Sequence, residues 1–314
     1  MKIWFKVLLI GWASGFVPGI AAEARAEPLA SVQRLQQPTW VERAGVRLPV
    51  YPAMGLLSGD QLVTSDTGKL LLRFADGSDV EIGSSASIHF RQLSMEAEAK
   101  MVSADDPGSA ESSAEGLFRG VLGVLKGAFR FTTTAAGLGR QRAIDISVGE
   151  MATIGIRGTD VWGKADPKGD FVVLIEGEIS VDRQGAPTLT MAAPQTIYNV
   201  PAGAVDGEVN SVNPADLQRW AKETRLDYGG GVVAGDGPFV VNLASMERVD
   251  YATSLLADFQ RKGYAVSIDD VDVSGVRWQR LQVVGFLTAT DASAFNQSIR
   301  QKFPEVQPWV MRRP

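Results

Sequence analysis

The 314-residue chain has no cysteine and a single histidine, His89. The first absence excludes disulfides, thiolate metal sites and a cysteine nucleophile. The second leaves His89 as the sole imidazole for a Ser-His-Asp triad and would make any zinc site mostly carboxylate. His89 sits in the alternating segment Ser87-Ile88-His89-Phe90-Arg91, where a strand residue without chemistry is the simpler reading. Positive charge is also in deficit. Lys and Arg number 31 against 36 Asp and Glu, a net charge of −5, so no global basic field would recruit nucleic acid. No phosphate-binding glycine loop joins a strand to a helix. Beyond the N-terminus no apolar run approaches the ~20 residues of a membrane-spanning helix. What is present, 45% hydrophobic and 21% charged residues, suits a globular chain of about two domains.

The N-terminus carries the compartment signal. Lys2 and Lys6 precede an apolar run over 7–17, and Ala24-Arg25-Ala26 fits the small-x-small cleavage rule, with Ile20-Ala21-Ala22 a poorer fit. Residues 1–26 therefore read as a secretory signal peptide rather than an uncleaved anchor. Cleavage would remove Lys2, Lys6, Arg25 and Glu23, taking the net charge from −5 to −7. The expected mature protein is periplasmic, with no transmembrane span.

The stretch 143–181 organises the rest. Ile144, Ile146 and Val148 alternate, as do Ala152, Ile154 and Ile156, and then Ile179 and Val181; 171–175 is nearly continuously apolar. Period-two patterning of β-branched residues predicts strands. Gly155, Gly158, Gly163, Gly169 and Gly177 mark turns, bulges or close approaches of the backbone. Upstream, 28–63 reads as short strands, and Asp76-Gly77 as the tight turn of a hairpin over 68–82. Residues 94–116 are acidic, small and polar, predicting a mobile surface insertion with room for a short helix over 95–102. A turn at Gly127 should precede a strand carrying Phe129 and Phe131.

In order, GDQLVT, GKLLLRFADGSDVEIGSSASI, LKGAFRF, ISVGEMATIGIRGTDVWGK and FVVLIEGEISV resemble the FecR domain family over about residues 40–205. Val161 and Trp162 stand where that family often has Phe. The resemblance implies a β-rich periplasmic domain, and its best-known members relay a surface signal to a cytoplasmic sigma factor. With 1–26 read as a cleaved signal peptide, no cytoplasmic N-terminal segment or spanning helix is expected, so a ligand- or protein-binding scaffold is expected over 27–210, with a signal-transduction regulator as the alternative.

Residues 211–236 read as a boundary: a helix capped by Asn213 with Pro214 in its first turn and Leu217, Trp220 and Ala221 on one face, then a flexible linker with Gly229-Gly230-Gly231 and Gly235-Asp236-Gly237. The last unit, 237–314, reads βαββαβ, a ferredoxin- or RNP-like α+β layout with helices on one sheet face and the other face free. Its helices are expected over 247–262, stopped by Gly263, and after a cap at Thr290 or Asp291. VVNLASMERVDYATSLLADFQRKGYAV and WQRLQVVGFLTATDASAFNQSI resemble the two halves of a SPOR domain. That family binds peptidoglycan, preferring denuded glycan strands such as those at division sites. The resemblance implies glycan-binding roles for Asn242 and Ser245 on the first strand, Trp278 and Arg280 on the third and Trp309 near the last; Asn242 departs from the commoner Gln.

The chemistry of these side chains agrees. Sugars are gripped by flat aromatic faces and by planar polar groups on their hydroxyls, which Trp and Arg supply. Trp278 and Arg280 point to one side of a strand whose core residues should be Leu281 and Val283. A hydrolase would need a carboxylate pair, for which Asp160 and Glu176 are the least dismissible, but both sit beside turn glycines where acids are common. The sequence thus predicts a non-enzymatic envelope protein without metal or cofactor, whose partners are peptidoglycan and another envelope protein.

Overall fold

A computed structural model describes residues 28–96, 116–134, 141–149, 152–156, 158–183, 185, 187–204 and 206–313. The expected signal peptide, most of the acidic insertion and Arg157 lie outside them. Strands dominate.

The first are β1 (Ala30–Gln36), β2 (Thr39–Arg43), β3 (Val46–Pro49), β4 (Gln61–Thr64), β5 (Lys69–Phe74), β6 (Asp79–Ile82) and β7 (Ser87–Glu96). β5 shows why they form: Leu70, Leu72 and Phe74 are buried while the residues between them are half-exposed, the period of a strand with one face in a core. The β5–β6 hairpin turns at Asp76-Gly77, with Gly77 at φ +85°. The Asp76 carboxylate accepts from the Ser78 amide (3.0 Å) and hydroxyl (2.6 Å) and faces Arg142 at 3.3 Å. Met95 and Glu96, expected in a helix or loop, instead close β7.

Next come β8 (Leu117–Thr132), β9 (Arg142–Val148), β10 (Ala152–Ile156), β11 (Asp160–Ala165), β12 (Gly169–Glu176), β13 (Ile179–Arg183), β14 (Leu189–Met191), β15 (Thr196–Pro201) and β16 (Glu208–Ser211). Gly127 is not a turn between strands. It is a kink at φ +84° inside β8, where an added Cβ would lie 2.6 Å from the Ala86 Cα. Before the kink β8 pairs with β7 and, in parallel, with β9; after it, with β6 and β11. One strand therefore serves two sheets. One runs β3-β2-β4-β7-β8-β9-β10-β13-β14, the other β16-β15-β12-β11-β8-β6-β5-β1. Their inner faces share one core around Phe74, whose ring centroid lies 5.5 to 6.4 Å from those of Phe90, Phe118 and Phe131. Gly163, one of the marked glycines, sits within β11 because a Cβ there would strike the Phe129 ring at 2.5 Å.

Helix α1 (Pro214–Thr224) starts as expected, with Asn213 accepting from the Ala215 amide at 2.9 Å. It lays Leu217 and Trp220 on the outer face of the second sheet, where Trp220 stacks on buried Trp162 (5.6 Å, 18°).

The C-terminal unit consists of β17 (Val232–Met246), α2 (Val249–Arg261), β18 (Ser267–Val273), β19 (Val276–Phe286), α3 (Ala289–Lys302) and β20 (Trp309–Arg312), in βαββαβ order. Its sheet runs β18-β19-β17-β20, antiparallel throughout. The α3 cap is neither Thr290 nor Asp291: Thr288 accepts from the Asp291 amide at 3.0 Å.

Asp291 does other work, and it overturns the flexible linker. Its fully buried carboxylate accepts the amides of Gly229 (2.8 Å), Gly231 (3.2 Å) and Val232 (3.0 Å) through one oxygen and the Thr288 hydroxyl (2.6 Å) through the other. Gln36 holds the same loop from the opposite side, accepting from the Asp227 amide (2.8 Å) and donating to the Gly230 carbonyl (3.1 Å). Val232 and Val233, read as linker, already belong to β17 and pair with Gln36 and Leu35 of β1. The units also meet at the end of α2. Thr39 N–H donates to the Gly263 carbonyl (3.1 Å), Trp40 Nε1–H to the Arg261 carbonyl (3.1 Å), and Ala265 N–H to Gln37 Oε1 (2.7 Å). A glycine-rich loop is mobile only while its amides stay with water, and here protein acceptors take several of them.

Candidate functional site

The C-terminal sheet has a helix-facing side and an outer side, and β20 distinguishes them. Val241 and Val310 pair across the ladder and belong to the core. Asn242 and Trp309, one residue along each strand, also pair, and so point outward together. On β19, Leu281 and Val283 are core, which turns Trp278 and Arg280 outward. The Arg280 guanidinium lies 6.0 Å from the Trp309 ring centroid, so these two share the outer face directly.

Ser245 reaches that face through an irregularity. Leu243 is in the core, yet Ala244 pairs with core Leu281 and Ser245 with Arg280. Two successive residues thus face inward and β17 changes phase between them, as at a bulge. Without that step Asn242 and Ser245, three apart, would lie on opposite faces. All five residues named from the sequence therefore share one sheet face. Asp269 joins them as the cross-strand partner of Arg280, and Val271 as that of Trp278.

Their exposure differs from expectation in one respect. Trp309 is 38% exposed, and Trp278, Arg280 and Ser245 are partly exposed. Asn242, expected to offer its amide to a ligand, is fully buried, and neither Oδ1 nor Nδ2 has a hydrogen-bond partner; Arg280 Nε is likewise buried and unpartnered. An unsatisfied amide in a sheet interior costs stability. Here the amide lies beneath the surface, across the ladder from Trp309. The exposed part of the face presents two indoles, a guanidinium and a hydroxyl, groups that can stack and hydrogen-bond.

The residues weighed for catalysis fall elsewhere. Asp160 and Glu176 are cross-strand partners on β11 and β12. Asp160 is held by both nitrogens of a fork from Arg130 (2.9 and 2.6 Å), whose guanidinium pKa is raised first by that bond, while Glu176 stands exposed. His89 lies in β7 opposite Gln61 and Gly123. Among the described residues no cluster of His, Asp or Glu has a metal-binding arrangement.

Sequence reasoning missed the contacts joining the units: Gln36, Gln37, Trp40, Gly263 and Asp291. Two adjacent glutamines just before Pro38 and Trp40 were the available sign, since Gln side chains can hold backbone from a neighbouring segment.

No protein-family model matches the sequence, and no curated protein matches it. Two crystal structures of the "putative anti-sigma factor" of Parabacteroides distasonis ATCC 8503, at 1.65 and 2.50 Å, superpose on 78% of this chain with a TM-score of 0.37. They share 11% and 12% identity with it, over 92% and 91% of their own lengths. A superposition that loose assigns no function.

Proposed function

We propose that this is an exported, periplasmic, non-enzymatic protein that binds peptidoglycan glycan strands through the outer face of its C-terminal sheet, with the two-sheet unit as a scaffold for an envelope partner. The observation that carries the reading is the convergence of Trp278, Arg280, Trp309, Ser245 and Asn242 on one face, with the Asn242 amide buried and unpartnered. A structural role alone would favour an apolar residue at 242. Trp278 and Trp309 stack against sugar C–H faces, Arg280 bonds hydroxyls and acetamido groups, the buried Asn242 amide does so once a bound sugar parts the side chains that cover it, and neutral glycan suits a chain of net charge −5. The resemblance of the unit to SPOR domains points to the same ligand, and that of the larger unit to FecR domains points to protein or ligand contact.

The test is co-sedimentation of the purified protein with sacculi, with and without prior amidase digestion, beside Trp278→Ala. Binding that rises on digestion and falls about tenfold or more in the variant is expected, from the loss of one stacked aromatic. No pelleting with either preparation refutes the reading.

A further inference from the structure

Where β8 kinks, a pocket of about 330 Å³ opens between the β6–β7 turn, the kink, the β11–β12 turn and the last turn of α1. That volume lies at the small end of the range of ligand sites. Its walls carry both signs of charge. Lys126 is exposed and, among the described residues, has no ion-pair partner. Ser84 and Ser85 add hydroxyls to the same wall, and Ser85 holds a left-handed backbone at φ +53°, fixed by its amide on the Ser65 carbonyl at 2.7 Å. A non-glycine residue in that region is strained, and such strain gathers at binding sites. Lys164, by contrast, is shared between Glu223 (2.9 Å) and Asp166 (3.8 Å), so two carboxylates of the wall stand against one ammonium of the wall; Asp166 also accepts the Lys168 amide (3.0 Å), and the Lys69 ammonium outside the pocket acts on Glu223 from a distance.

The pocket thus presents an unpaired cation with hydroxyls and a surplus carboxylate. An anion alone would leave the surplus carboxylate unanswered, and a cation alone would leave Lys126 so. We propose that this pocket binds a small zwitterion, an amino acid or short peptide with both termini free. The carboxylate would pair with Lys126 and the serine hydroxyls, and the ammonium with the Asp166–Glu223 pair. The pocket lies in the two-sheet unit and α1, so the inference stands whether or not the sheet face binds glycan.

The experiment is a 1H–15N NMR titration of the whole protein with alanyl-alanine, with its N-acetylated and C-amidated forms, and with the K126A and E223Q variants. Saturable shifts at the Ser84, Ser85 and Ala128 amides are expected. Binding should weaken about tenfold or more for either blocked peptide and for either variant, each removing one charge-assisted contact. Lys126 is exposed, so K126A should keep the wild-type spectrum elsewhere, separating loss of binding from loss of fold. Absence of saturable shifts up to about 10 mM peptide overturns the proposal. So does equal binding of the blocked peptides or unchanged binding by K126A.

Discussion

At Asn242 the demands of stability and of the proposed glycan binding are opposed. Its amide is fully buried with both polar atoms unpartnered, opposite Trp309 on the outer sheet face. An apolar residue of similar volume removes the unmet hydrogen-bonding demand, which is worth about 1–3 kcal/mol. Asn242→Leu should therefore hold or raise the melting temperature while sacculus binding falls. A variant that melts lower, or binds as well as the parent, would show that the amide serves the fold. This is also where sequence reading stops at the residue scale. Strict alternation around Leu281 and Val283 suffices to turn Trp278 and Arg280 outward. The phase change that brings Ser245 beside Asn242 leaves no trace in the pattern, because Ala244 is small enough for either face.

Elements were legible where alternation was strict, as in β5, β6 and β9, and where a cap had one obvious residue, as at Asn213. Gly127 misled because glycine marks a turn and a kink with the same letter; only the crowding against Ala86 decides between them. The β15–β16 hairpin supplies a pH test. Asp206 accepts from the Tyr198 hydroxyl (2.7 Å), the Gly207 amide (2.8 Å) and Arg183 (2.7 Å), which lower its carboxyl from 3.8 to about 2. A depressed folded pKa means that this support is complete above pH 3.8 and fades as pH falls towards about 2. The protection of the Gly207 amide against exchange, taken relative to its intrinsic rate at each pH, should fall across that window, and Asp206→Asn should flatten the dependence. The Asp291 clamp is the second test at this scale. Asp291→Ala leaves the amides of Gly229, Gly231 and Val232 without their acceptor. A loss of about 3 kcal/mol or more is expected by denaturant titration, with protease cleavage appearing over 228–231. A variant as stable and as resistant as the parent would mean that β1 pairing alone fixes the loop.

At the scale of the molecule, the two units cohere through contacts that composition disguises. A run of glycines reads as a tether, and two glutamines ahead of a tryptophan carry no sign in the sequence of what they hold. Folded, they become the β1–β17 ladder, the Asp291 clamp and the seat of Trp40 against the end of α2. The seat depends on Gly263. It takes φ +82°, ends α2, gives its carbonyl to Thr39, and leaves its missing Cβ as the space for the Trp40 ring, 2.5 Å from where that carbon would stand. Gly263→Ala therefore acts twice, through backbone strain and through a clash with a rigid ring. Units joined this way should melt in one calorimetric transition whose van't Hoff and calorimetric enthalpies agree. The alanine should split that transition in two by prising the α2 end from β2. Two transitions already present in the parent protein would mean that the units fold independently and that the interface is too weak to couple them. The C-terminal sheet would then be carried on a loose neighbour rather than held in a fixed orientation by the two-sheet unit.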